Sequence, residues 1–174
     1  MGTGFDKGAE NTMRVPLSID LKGKTAVVTG AGGVLCSMFS KAVAACGAKV
    51  ALLDLNEESA RKCADEIRAE GGTAKAWRAD VLDRDSLEKT HASILAEFGP
   101  CDILINGAGG NSPRATTADE FFQKEDLKKD TATFFNLDPK GVGFVFNLNF
   151  LGTMISTQVF AQDMPGRELS LIHI

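Results

Sequence analysis

The sequence predicts an α/β fold built on a doubly wound parallel sheet, and three observations carry that expectation. From residue 24 onward, short apolar runs alternate with longer stretches of helical period. Glycines close those longer stretches, at Gly47, Gly71-Gly72 and Gly99. The short runs are apolar at successive positions, not at every second one. Strands of that kind are covered on both faces, which is the habit of parallel strands joined by helical crossovers.

The elements follow in order. Residues 24–29 form a first strand, and residues 34–46 a helix with Leu35, Met38, Phe39, Ala42 and Cys46 at apolar spacing. Residues 49–53 form a second strand ending at Asp54, followed by an amphipathic helix over 57–70. A third strand over 73–79 ends at Asp80, and a helix covers 84–98. The fourth strand, 102–105, runs into Asn106-Gly107-Ala108-Gly109. Residues 111–140 are polar and charged, with Phe121-Phe122 and Phe134-Phe135 set among them; this reads as a functional loop with short helices that packs on its own aromatics. A strongly apolar helix is expected from 141 to about 164. Residues 1–19 read as a leader, 20–164 as one domain, and 165–174 as a tail. The tail is either the start of a fifth strand or a non-native run, and Glu168-Leu169-Ser170 favours the latter.

With 174 residues, 44% of them apolar, the chain can bury a core of its own. A net charge of −4, with no run of like charges, argues against nucleic acid or an anionic membrane as partner. No stretch reads as the roughly 20 apolar residues a bilayer span needs, and the N-terminus has no signal-like apolar core. A cytoplasmic protein is expected. The four cysteines form no C-x-x-C pair, and with only His91 and His173 a metal site is not expected.

The turn after the first strand carries the chemistry. Gly30, Gly32 and Gly33 stand between an apolar strand and a helix, where backbone amides and the helix dipole attract a pyrophosphate. The alternative is an ordinary strand-to-helix turn. Asp54 lies 24 residues after Gly30, at the end of the second strand, and can accept hydrogen bonds from both hydroxyls of an adenine ribose. Its charge would repel a 2′-phosphate, and no Lys or Arg nearby offsets it, so the cofactor expected is NAD. Asn56 suits the capping of the next helix better than Asp54 does. Asp80 stands at the same sheet edge; it either meets the adenine amino group or caps the helix that begins near Asp83. Val34 and Leu35 at the helix start, and Leu55 and Val81 beside the two carboxylates, complete the expected cofactor contacts. The fold expected is thus Rossmann-type, carried as far as about the fourth strand and the helix after it.

Thr-Gly-Ala-Gly-Gly, Asp54, Ala79-Asp80-Val81 and Ile-Asn-Gly-Ala-Gly occur in that order, and over residues 20 to about 164 the chain resembles the short-chain dehydrogenases/reductases. That family's glycine motif would have glycines where Val34 and Cys36 stand. Their Cβ atoms are expected to take up room beside the pyrophosphate and at the helix–strand contact, with binding kept and packing altered. The wording of the glycine turn and of the segment from Asn111 to Thr153 resembles the branch of D-mannonate oxidoreductases. The resemblance maps an Asn-Asn-Ala-Gly motif onto Asn106, Gly107, Ala108 and Gly109, with Gly107 replacing the second Asn. It implies that Asn106 ties neighbouring strands through its amide. It maps an Asn-x-x-Gly motif onto Asn149 and Gly152 and implies that Asn149 is catalytic, anchoring a water of the proton relay; the alternative is a satisfied core Asn. Arg114 is either a contact for a substrate carboxylate or a solvated loop residue.

The resemblance also implies a Tyr-x-x-x-Lys pair, and the chain contains no tyrosine. The expectation is an NAD-dependent oxidoreductase acting on a sugar-acid alcohol/ketone pair, represented by its cofactor-binding part and inactive by itself. The complete enzyme is expected to be a dimer or tetramer. The alternative is a non-catalytic nucleotide-binding or interaction module.

Overall fold

Two interleaved sets of apolar side chains run along the strands, and each set has its own pair of covering helices. Ala26, Val28, Val50, Leu52, Ile103 and Ile105 point to one face; Val27, Ala51, Leu53 and Leu104 point to the other. This is the two-residue period of a strand with both phases apolar. The computed structural model describes residues 19–166 and the backbone of 170–173. It contains β1 (Thr25–Thr29), β2 (Lys49–Asp54), β3 (Thr73–Arg78), β4 (Ile103–Asn106) and β5 (Ser170–His173), in the sheet order β3-β2-β1-β4-β5. All four pairings are parallel.

On the first face, α1 (Val34–Ala45) and α2 (Glu57–Ala69) contribute Cys36, Ala44, Ala60, Ala64 and Ile67. On the second, α3 (Arg84–Glu97) contributes Leu87 and Ile94, and α5 (Gly152–Phe160) contributes Val159 and Phe160. Asn56 caps α2, accepting from the Ser59 amide, and Asp83 caps α3, accepting from the Ser86 amide. That leaves Asp54 and Asp80 free of the capping role. At the far end of the sheet, buried Asp102 accepts from the Thr25 amide at 2.9 Å and fixes the start of β4 to β1. Asp163 bridges His91 of α3 and the Cys101 amide, both at 2.9 Å, and so holds the chain after α5 to the approach to β4.

Several expectations are corrected. The doubly wound parallel sheet is as expected, and of the two readings of the tail the pairing of 170–173 beside β4, from Ile103↔Ser170 to Asn106↔His173, is that of a fifth strand. The tail favoured as a non-native run is therefore paired backbone over those four residues. The leader lies outside the described residues except for its last one, Ile19. The third strand is not covered on both faces: β3 is an edge strand, with Thr73, Lys75 and Arg78 exposed. The helix expected from 141 begins earlier, as α4 (Pro139–Phe146), and is interrupted by a π turn over Asn147–Leu151 before α5 resumes it. The run Pro139–Asp163 has 25 residues and is long and apolar enough to cross a membrane by length and composition alone. This corrects the expectation that no stretch is long and apolar enough for a bilayer span. Here its C-terminal end packs into the sheet core through Val159 and Phe160.

Residues 111–138 hold three 3₁₀ turns, Pro113–Ala115, Lys124–Lys128 and Phe134–Asn136. The Phe122 and Phe135 rings pack 5.3 Å apart. Arg114 pairs with Asp138, closing the base of the loop.

Phe144, Phe146 and Phe150 are exposed, whereas Phe160 is fully buried. Phe160→Ala should therefore lower the unfolding free energy by about 3–5 kcal/mol in urea titrations. Phe146→Ala should change it by no more than about 0.5 kcal/mol. A comparable loss at both positions would contradict this division of the helix.

Candidate functional site

The winding of the sheet reverses between β1 and β4: β2 and β3 lie to one side of β1, β4 and β5 to the other. The turns leaving two adjacent strands then diverge toward opposite faces, and a crevice opens at their carboxyl ends. A cleft of about 490 Å³ lies there. It is lined by Gly30, Gly33, Val34 and Leu35 from the first turn, Asp54 and Leu55 from β2, Asp80 and Val81 after β3, and Gly107, Ala108 and Gly109 after β4. The structure thus brings eleven of the fourteen expected site residues to one cleft; Gly32, Asn106 and Asn149 sit around it.

Gly30 makes the close approach possible. Its φ is +68°, and a Cβ there would lie 2.8 Å from the Cα and N of Ala108. The two turns touch backbone to backbone at this point, which no other residue type permits without strain. Beyond it, Gly33 is the N-cap of α1 and provides no side-chain cap, so the helix presents its first amides to the cleft unoccupied by protein oxygen from that residue. Val34 is 80% exposed at the mouth; it narrows the entrance but does not fill the cradle.

Gly32 lies behind the cleft and donates its amide to Asp54 Oδ2 at 2.9 Å. Asp54 Oδ1 accepts from the Asn56 amide at 2.8 Å. Each carboxylate oxygen has a second lone pair, so the group is oriented by protein and still able to accept from a ligand. Asp80 is held similarly, with Oδ1 accepting from the Leu82 amide at 2.9 Å.

The β4 turn departs from expectation in two ways. Asn106 is 3% exposed, and its Nδ2 donates to Thr157 Oγ1 of α5 at 3.0 Å, so among the described residues its amide ties the strand to a helix. The tie between strands comes from Thr29, whose Oγ1 accepts from the amides of both Gly107 and Ala108 at 3.1 Å. Thr29 was missed; its signal was a hydroxyl at the last position of an otherwise apolar strand. Asn149, expected to be buried, is exposed on the π turn. Its Oδ1 accepts from the Gly110 amide at 3.1 Å, and its Nδ2 donates to the Gly110 and Val145 carbonyls, both at 2.8 Å. Its amide brackets the end of the β4 turn. The widened turn is what frees a side chain on this helix to reach sideways.

Cys36 is buried against Gly107, where the sequence placed it at the helix–strand contact. Burial, and then the charge of Asp54, push its thiol above the ordinary range. Arg114 is engaged with Asp138, so its charge is already answered within the loop.

Replacing Thr29 by Val keeps its shape and strands two amides. Thr29→Val should cost about 2–4 kcal/mol of stability in urea titrations, while Thr29→Ser should stay within about 1 kcal/mol of the parent. Equal losses for both would show that the hydroxyl is not what holds the turn.

Similarity to known proteins agrees with this geometry. The profile of the short chain dehydrogenase family matches residues 24–172. An uncharacterized oxidoreductase of Haemophilus influenzae is 52% identical over 159 residues, covering 91% of this chain and 55% of the relative. One of Bacillus subtilis is 45% identical over 150 residues, covering 86% of this chain and 53% of the relative. A solved Haemophilus structure, provisionally assigned as a D-mannonate oxidoreductase and holding bound NAD, superposes with a TM-score of 0.85 at 51% identity. That match covers 89% of this chain and 55% of the solved one. The chain thus spans about half the length of the relatives it matches. With the reversal of winding, the glycine turn and the family match in agreement, the chain belongs to the short chain dehydrogenase family.

Proposed function

We propose that this chain is the cofactor-binding part of an NAD-dependent oxidoreductase that interconverts the alcohol and ketone forms of a sugar acid of the D-mannonate class. The observation that carries the cofactor half of this reading is Asp54, fixed at the end of β2 by the Gly32 and Asn56 amides and facing the cleft. The Gly30–Ala108 approach and the uncapped start of α1 form a cradle of the kind a pyrophosphate needs. Bound NAD supplies the hydride acceptor.

The chain's own residues do the rest of the binding. First-turn amides of α1 receive the phosphates, Asp54 accepts from the adenine ribose, and Asp80 with Val81 borders the adenine. Gly107, Ala108 and Gly109 let the backbone pass beside the other ribose. Asn149 positions that turn through Gly110; the role in a water relay that the resemblance assigns it would use the lone pair left on Oδ1. The substrate class rests on the likeness to the Haemophilus structure. Four cysteines free of disulfides suit a reducing compartment, and we place the protein in the cytoplasm. The complete enzyme is proposed to be a homo-oligomer.

A second reading is a nucleotide-binding module with no chemistry of its own; the 174 residues contain no tyrosine. Both readings hold that the 174 residues alone are catalytically silent. General acid catalysis by a positioned side chain contributes about 10²–10⁴-fold, and the proton donor the family uses is not among them. NADH formation from D-mannonate by the purified chain, abolished by Asn149→Ala, would overturn that. Fusing on the C-terminal part of the Haemophilus relative separates the two readings. NAD-dependent oxidation of D-mannonate by the fusion supports the enzyme, and binding without turnover supports the module.

Cofactor choice is measurable on the chain as it stands. NADH should bind about 10–100-fold more tightly than NADPH, a difference of about 1.4–2.8 kcal/mol set by a carboxylate facing a phosphate. Asp54→Ser should narrow the gap, and equal affinities in the unmodified chain would sink the assignment.

A further inference from the structure

We infer that Cys36 is a positioning residue of the cofactor cleft: its thiol, seated against Gly107, sets how closely the turns after β1 and β4 approach, and so tunes dinucleotide affinity. This rests on the cofactor reading above and adds to it a residue that borders the same cleft and acts through its contact with Gly107.

The geometry is specific to the sulfur. A Cβ built on Gly107 would lie 2.1 Å from Cys36 Sγ, closer than any packed carbon and sulfur can come. The same Cβ would lie 3.6 Å from Cys36 Cβ, an ordinary contact, and 3.1 Å from the Thr29 carbonyl oxygen, which is tight but adjustable. Gly107 is not among the glycines in the left-handed region, so its backbone accepts an alanine. The thiol is therefore the main obstacle to a side chain at position 107. The two positions share one volume, which Cys36 fills.

That volume lies between two walls of the cleft. Cys36 is in the first turn of α1, whose amides face the cleft, and is 7% exposed. Gly107 cannot retreat, because its amide and that of Ala108 are both held by Thr29 Oγ1. A change in volume at the contact must therefore be taken up by the start of α1. Its buried thiol stays protonated and acts there as a filler of fixed size.

The test is a four-chain cycle: the unmodified protein, Cys36→Ala, Gly107→Ala, and the double variant, in which the group removed at 36 is nearly restored at 107. Each is titrated with NADH by fluorescence and melted in urea without cofactor. Gly107→Ala should weaken NADH binding on the order of tenfold and Cys36→Ala about threefold, while the double variant should bind within about threefold of the unmodified chain instead of losing the roughly thirtyfold that additivity gives. Additive losses would overturn the inference and leave the cofactor reading standing. Coupling seen in the urea midpoints with NADH affinities unmoved would also overturn it, since that marks a contact of the core alone. If the unmodified chain bound no NADH, the cofactor reading itself would fall, and this inference with it. Should Gly107→Ala not fold, the double variant decides: folded and binding NADH supports the pairing, unfolded defeats it.

Discussion

One hydroxyl at the end of β1 accepts hydrogen bonds from two successive backbone amides at the end of β4, and the cleft takes its form from that junction. Thr29 stands where the winding of the sheet reverses, with β2 hydrogen-bonded on one side and β4 on the other. The glycine turn begins at the next residue, so whatever fixes the β4 turn to Thr29 also fixes it to the start of α1. Gly30 then needs its left-handed backbone, because Ala108 is already in place across from it. Cys36 meets Gly107 for the same reason. Loss of this bond would leave the sheet paired and the cleft without a defined width.

The charges around the cleft divide the work. Asp54 and Asp80 line it, and among the described residues no lysine or arginine does. Attraction for an anion therefore falls to the backbone, through the open amides at the start of α1, while the carboxylates at the strand ends accept from hydroxyl or amino groups. A ligand suited to this cleft is anionic near α1 and carries hydrogen-bond donors near β2 and β3. Basic side chains would attract many anions; a helix terminus with oriented carboxylates beside it is more selective about where the charge sits.

Much of this was legible in the residues. Strand and helix positions followed from apolar runs and closing glycines, and Asp54 and Asp80 from their places at strand ends. What escaped depends on contacts distant in sequence. The partner of Asn106 is Thr157, fifty-one positions on, and nothing local in either residue announces the other. Asn149 reads as buried because its neighbours are apolar. In fact those neighbours, Phe146 and Phe150, are themselves exposed, so the inference from neighbours failed with them. A strand and a loose tail differ little over four residues, and what decides between them is the free edge of β4, which no local pattern reveals. The π turn is likewise a property of the whole helix, not of five residues.

That π turn bears on how this helix tolerates changes in length. In a regular α-helix one added residue rotates everything beyond it by about 100°, which would carry a buried face round toward solvent. A π turn absorbs the addition locally, as the bond from the Gly152 amide to the Asn147 carbonyl shows, and the flanking segments keep their directions. Anchoring to the sheet through Val159 and Phe160 is thereby uncoupled from the reach of Asn149 to Gly110. Deleting one residue within Asn147–Leu151 would leave the first intact and undo the second. The helix can lose its grip on the β4 turn without losing its place in the fold.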